Sequence, residues 1–249
     1  MKKIILIGMI GIASLGAESS LEVAKKSFER ISGYKSSISK TTMVLKNAQG
    51  IENKRQLIIK RLENKNGDKS LIHFIYPLDI KGTKLLSFEQ IGKDDKQWLY
   101  MPALKRIKRI SSRNKSGSFM ASEFSYEDIS SQNYKNYTYS GDAKVVKKNN
   151  TSYFKVVRIP KDQNSGYSKQ IVYIDSSTYL ARSGEYYDKL GKLLKEVEFL
   201  QYKKIDGVYR IQKINMQNIQ NGKSTMLIWD EDQINIGLGE ADFSKKELQ

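Results

Sequence analysis

The order of apolar and polar positions divides the chain into three unequal stretches. Residues 4–15 form an unbroken apolar run behind Lys2 and Lys3, and the chain turns polar at Glu18. Leu21, Ala24, Phe28 and Ile31 then recur at helical spacing. Ser19 with Glu22 three residues later reads as a capping box, and Gly33 as a stop, so the pattern predicts one amphipathic helix over 21–31. From Ser36 onward the period falls to two. Alternating runs occur at 42–45, 56–62, 71–76, 84–91 and 96–101, and a long loop is predicted after Met101. Runs resume at 134–140, 144–147, 153–159, 169–174, 179–187, 193–202, 208–218 and 224–230. Asn66-Gly67, Asp206-Gly207 and Asn221-Gly222 are strong hairpin signals between them. Regular short strands joined by tight turns predict an antiparallel meander, mainly β with one helix. A sheet of that many strands must curl or split to bury its apolar face.

The first stretch has the layout of a secretory signal: a basic start, an apolar run and small residues at Gly16 and Ala17. It is shorter than the ~20 residues a spanning helix needs. The expectation is therefore an exported protein: signal peptide 1–17, cleaved after Gly16 or Ala17, and a single domain over 18–249.

Composition narrows the chemistry. The formal charge is +16 and there is no cysteine, which excludes disulfides, thiolate metal sites and a cysteine nucleophile. Export turns the basic excess away from nucleic acid and toward phospholipid head groups or peripheral membrane contact. His73 is the only histidine and reads as structural, since a lone histidine cannot build the multi-histidine sites zinc favours. No Gly-x-Ser-x-Gly elbow marks a nucleophile. Glu127-Asp128 and Asp230-Glu231-Asp232 lack calcium-loop spacing and read as solvated turns. No enzyme activity, metal or cofactor is expected.

The informative segment runs from Phe74 to Asp128. Phe74 and Tyr76 share one strand face, as do Trp98 and Tyr100; if those strands pair, four aromatics line one surface. The following loop carries Lys105, Arg106, Lys108, Arg109 and Arg113, then Phe119, Met120, Phe124 and Tyr126. A loop this long is functional or disordered. A cationic rim beside an apolar tip suits an acyl chain with an anionic head group. The eight aromatic and methionine positions are thus candidate ligand contacts, and the five bases candidate partner or head-group contacts.

These same residues carry a resemblance. Tyr76-Pro77, Lys81-Gly82-Thr83, Trp98-Leu99-Tyr100-Met101-Pro102-Ala103-Leu104-Lys105-Arg106, Ser118-Phe119-Met120-Ala121-Ser122 and Phe124-Ser125-Tyr126-Glu127-Asp128 are together similar to the LolA-like outer-membrane lipoprotein-sorting proteins. The branch of about this chain's own length is meant. Ala121 departs from the pattern, which has glycine there. The resemblance implies a strongly curved, open half-barrel, with the N-terminal helix and a loop or helix lid over its concave side. It implies a periplasmic, non-catalytic carrier that holds lipid or lipoprotein acyl chains between an inner-membrane transporter and an outer-membrane acceptor; a monomer is expected. An alternative is an envelope adaptor that docks on a transporter or exporter. The helix 21–31 and the loop 111–125 are the expected gates.

Overall fold

The computed structural model describes residues 18–130 and 132–249. The predicted signal segment, 1–17, lies outside the described residues.

Helix α1 spans Ser20–Ile31 and begins with the expected capping box. The Ser19 hydroxyl accepts from the Glu22 amide at 3.2 Å, and the Glu22 carboxylate accepts from the Ser19 amide at 3.2 Å. Val23, fully buried, seats the helix against Val156, Val172 and Ile174. Leu21, expected on the buried stripe, is exposed. The inward face runs through Val23, Ala24, Phe28 and Ile31, and Leu21 falls just outside it.

The rest is one 14-stranded antiparallel sheet. Its first six strands are β1 (Ser36–Lys46), β2 (Glu52–Leu62), β3 (Lys69–Tyr76), β4 (Lys84–Phe88), β5 (Lys96–Met101) and β6 (Arg106–Ile110). A short helix α2 (Tyr126–Ile129) precedes β7 (Tyr137–Tyr139), β8 (Lys144–Lys148), β9 (Thr151–Pro160) and β10 (Tyr167–Asp175). The last four are β11 (Ala181–Asp188), β12 (Leu193–Ile205), β13 (Val208–Asn218) and β14 (Ser224–Ile234). β1 to β6 form one meander and β9 to β14 another, joined where β1 pairs with β14. β7 and β8 both pair with β9. β6 and β7, at the two ends, do not pair with each other, so the sheet curves without closing into a barrel.

β6 corrects the expectation of a loop after Met101. It pairs with β5 from Met101↔Arg106 to Gln97↔Ile110. Only Ile110 is buried. An edge strand needs little apolar signal, because its ladder is satisfied on one side and charge on the other protects the open edge. The run of bases thus concealed a strand.

Strand alternation gives the β3–β5 region two apolar faces. Ile72, Phe74, Leu85 and Leu99 join the concave core. Leu71, Leu86 and Trp98 face outward, where the C-terminal segment covers them with Phe243 and Leu248. Lys84 Nζ donates to the Glu247 carbonyl at 2.7 Å, and Lys245 lies 4.7 Å over the Trp98 ring. Replacing Phe243 by alanine should therefore cost about 3–5 kcal/mol, the usual range for a buried phenylalanine. A urea unfolding curve checks this; an unchanged midpoint would mean the tail is not part of the cooperative fold.

Candidate ligand cavity

Residues 111–136 join β6 at one edge of the sheet to β7 at the other, and Phe119, Phe124 and Ile129 place this segment on the concave side. It crosses as a packed plug. Phe119 is fully buried, 5.7 Å from Phe74 and 5.6 Å from Tyr126 between ring centres. Phe124 and Ile129 join the same core. Arg55 donates to the Met120 carbonyl, the Glu123 amide donates to Thr225 Oγ1 at 2.9 Å, and Asn218 Nδ2 donates to Glu123 Oε2 at 2.9 Å. Gln97 Nε2 donates to the Tyr126 carbonyl and to Ser130 Oγ, each at 3.1 Å.

Glu127 and Asp128 are not the solvated turn expected from sequence. Asp128 caps α2 at Ser125 and accepts from Lys195 Nζ at 2.9 Å and Tyr167 Oη at 2.8 Å. Glu127 accepts from Ser165 Oγ at 2.7 Å and the Gly166 amide at 2.8 Å, and burial pushes its carboxyl above the usual range. Asp232 likewise lies in β14, where Arg210 grips it at 2.8 and 3.1 Å. Buried carboxylates need such partners.

Beside the plug a cavity of about 270 Å³ remains. Ala24, Phe28 and Ile31 of α1 roof it, and Val156, Val197, Ile214 and Leu227 of the sheet are among its walls. Phe124 and Ile129 close it on the plug side. Both ends are polar. One carries Arg61, Glu63 and Arg210, with the Arg210 guanidinium 4.1 Å over the buried Tyr34 ring. The other carries Arg158, Gln132, Tyr139 and Tyr186. Arg158 donates to Gln170 Oε1 at 2.7 Å and Gln132 Oε1 at 2.9 Å, stacks 4.1 Å from the Tyr137 ring, and has no carboxylate partner among the described residues.

The roof is held by Val23 in its own buried cluster and by hydrogen bonds at both ends. At its start, Glu18 accepts from Tyr179 Oη and Lys26 Nζ, both at 2.6 Å. At its end, Glu63 accepts from the Gly33 amide at 2.9 Å and the Lys35 amide at 3.0 Å. Those bonds hold a turn in which Gly33 has φ 97°. Burial pushes the Glu63 carboxyl upward.

The predicted ligand contacts divide. Phe124 lines the cavity; Phe74, Phe119, Met120 and Tyr126 fill the solid core next to it. Trp98 and Tyr100 lie on the opposite face with the C-terminal segment, and Tyr76 is 53% exposed. The four aromatics do not form one surface, because β4 separates β3 from β5 and the register turns Leu99, not Trp98, inward. Lys105, Arg106, Lys108, Arg109 and Arg113 are exposed along β6 and the turns at its two ends. Sequence reasoning missed Arg158. Its signal was an arginine two places after the inward-facing Val156.

An unclosed β-shell with a largely apolar hollow beneath a helix is an open half-barrel. A family profile whose description reads "Uncharacterized protein" matches residues 66–249. No curated protein matches the chain. Among solved structures, an outer membrane lipoprotein-sorting protein domain from Vibrio parahaemolyticus is 44% identical, over 92% of this chain and 97% of its own, with a TM-score of 0.86. A DUF1329 family protein from Desulfovibrio piger is 27% identical, over 92% and 98%, with a TM-score of 0.86. A LolA superfamily protein from Nitrosomonas europaea shares the fold at 18% identity, over 93% and 100%, with a TM-score of 0.76. The chain belongs to the LolA-like family of outer-membrane lipoprotein-sorting proteins.

Ala121, the departure from the family pattern, has φ 58°. That left-handed conformation favours glycine and strains an alanine. Ala121→Gly should raise stability by about 1 kcal/mol, the reverse of the penalty for alanine at positive φ. A higher urea midpoint is expected; a lower one would show that the plug relieves the strain.

Proposed function

We propose that this chain is a periplasmic carrier that holds acyl chains of lipoproteins or other lipids for transfer toward the outer membrane. The observation that carries this reading is the cavity roofed by Ala24, Phe28 and Ile31 of α1 and walled mainly by apolar side chains of the sheet. Each methylene moved from water into such a hollow contributes about 0.8 kcal/mol. The polar ends suit a head group, and Arg158 in particular suits an anionic one. Residues 1–17 direct export and are removed. No helix among the described residues is long and apolar enough to cross a membrane.

The helix α1 is the element that opens. It is tied by two small clusters of hydrogen bonds, whereas the plug is held by buried aromatic packing and bonds to β2, β5, β13 and β14. Phe124 contacts the acyl chain directly, and Phe74, Phe119, Met120 and Tyr126 shape the core behind it. The basic edge of β6 meets a head group or a membrane partner, an inner-membrane transporter on loading or an outer-membrane acceptor on delivery. The same exposed, cationic edge favours the second reading, an adaptor that docks on a transporter and holds no free lipid. The carrier acts as a monomer and performs no covalent chemistry.

Mass spectrometry of organic extracts from protein purified from the periplasm without detergent tests the proposal. Near-stoichiometric lipid, absent from a control protein handled identically, is expected. An empty extract from well-folded protein turns the reading to the adaptor. A second measurement addresses the edge. Reversing charge at Lys105, Arg106 and Arg109 should slow transfer while leaving the unfolding midpoint unchanged, because all three are exposed. Transfer that is insensitive to both the reversal and salt would exclude an electrostatic role for β6.

A further inference from the structure

The two rims of the half-barrel differ in chemistry. One rim consists of the turns 47–51, 77–83, 102–105, 161–166, 189–192 and 219–223, which join consecutive strands at the same end of the sheet. Five of these six turns carry an aliphatic side chain directed into solvent. Ile51 is 63% exposed, Leu78 83%, Leu104 57%, Leu190 83% and Ile219 41%. Turn tips are ordinarily polar. Here Leu190 occupies a four-residue hairpin between Lys189 and Gly191, where no packing requires it.

Charge follows the same division. The six turns hold six lysines (Lys81, Lys105, Lys161, Lys189, Lys192 and Lys223) against Asp79 and Asp162, and Lys115 neutralises Asp162. The turns of the opposite rim, 63–68, 89–95, 149–150, 176–180 and 206–207, hold two lysines against six acids. None of them carries an exposed large apolar side chain. The dipolar distribution therefore places positive charge and apolar tips at one end of the molecule.

The turns of the basic rim also touch in sequence along the arc. Lys189 Nζ donates to the Gln163 carbonyl at 3.4 Å, and Gln220 Nε2 donates to Asp188 Oδ2 at 2.9 Å. A Cβ on Gly222 would lie 3.6 Å from Ala48 Cβ, and one on Gly82 would lie 3.0 Å from Pro102 Cγ. These contacts tie 161–166, 189–192, 219–223 and 47–51 into one run and 77–83 with 102–105 into a second, both at the same end of the sheet.

We propose that this rim docks on the surface of an anionic phospholipid bilayer, with the aliphatic tips entering the head-group boundary and the lysines meeting lipid phosphates. The spacing favours a bilayer over a protein partner. Single apolar tips separated by polar backbone and lysine suit a fluid interface, whereas a protein interface needs a contiguous packed apolar centre. Lysines beside an anionic surface add attraction that salt screens. Docking this way leaves the Arg61–Arg210 end of the cavity at the rim away from the bilayer. The inference does not rest on what the cavity holds.

The test is co-sedimentation of residues 18–249, which carry every described element of the fold, with vesicles of phosphatidylcholine alone or mixed with phosphatidylglycerol. Bound lipid is first read by extraction, so cargo and docking are scored separately. Binding to the phosphatidylglycerol vesicles, weakened by salt and much lower on phosphatidylcholine, is expected. Leu78→Ser with Leu190→Ser should reduce that binding roughly tenfold or more, as loss of two buried leucyl groups implies. Lys189→Glu with Lys192→Glu should do the same from the charge side, and matching urea midpoints confirm that both variants fold. Equal binding to both vesicle types, no binding to either, or binding untouched by the serine pair overturns the proposal.

Discussion

A sheet of fourteen strands that curves but does not close leaves two edges, and a single connection must pass between them. The rest of the structure depends on that constraint. β6 ends one edge and β7 starts the other, and the intervening segment passes across the concave side, where Phe119, Phe124 and Ile129 join the core. Crossing there would strand backbone and carboxylates in an apolar interior unless each were paired. Arg55, Gln97, Thr225 and Asn218 meet the plug from four strands, and Lys195 with Tyr167 meets Asp128. Two segments of the recognised motif, Ser118–Ser122 and Phe124–Asp128, make this crossing, while the others lie on β3 to β6 and the turns between them.

The plug fills only part of the hollow. Where it stops, α1 begins, and the space between them is the cavity. The empty volume costs packing energy on the order of the cavity terms seen in core deletions, and an occupant that restores those contacts is held by the same energy. The two covers differ in kind. The plug is integral to the concave core, while α1 leans on it through one face and is tied at its ends by Glu18 and Glu63.

Antiparallel connectivity also separates the two rims, since successive turns fall alternately at one end and the other. This allows the chain to carry different chemistry at its ends: acids at one, lysines with aliphatic tips at the other. The exposed edge of β6 begins at the basic rim, directly after the turn 102–105.

Much of this was legible in the sequence. The capping box Ser19–Glu22, the helix and nearly every hairpin follow from local chemistry that needs no partner to act: a hydroxyl in reach of an amide, a glycine where φ is positive, period-two alternation. The resemblance carried the open half-barrel. Tertiary structure decided which face of each strand looked inward. Period two says that Trp98 and Leu99 face opposite ways, but only the register of β4 against β3 and β5, with the C-terminal segment waiting outside, turns Leu99 to the hollow and Trp98 to Phe243. It also decided that Glu127 and Asp128 are buried anchors and that Lys105 to Arg109 lie on a strand edge. Arg158 reached the cavity in the same way. These outcomes depend on partners distant in sequence, and local pattern holds no record of which distant partner will arrive.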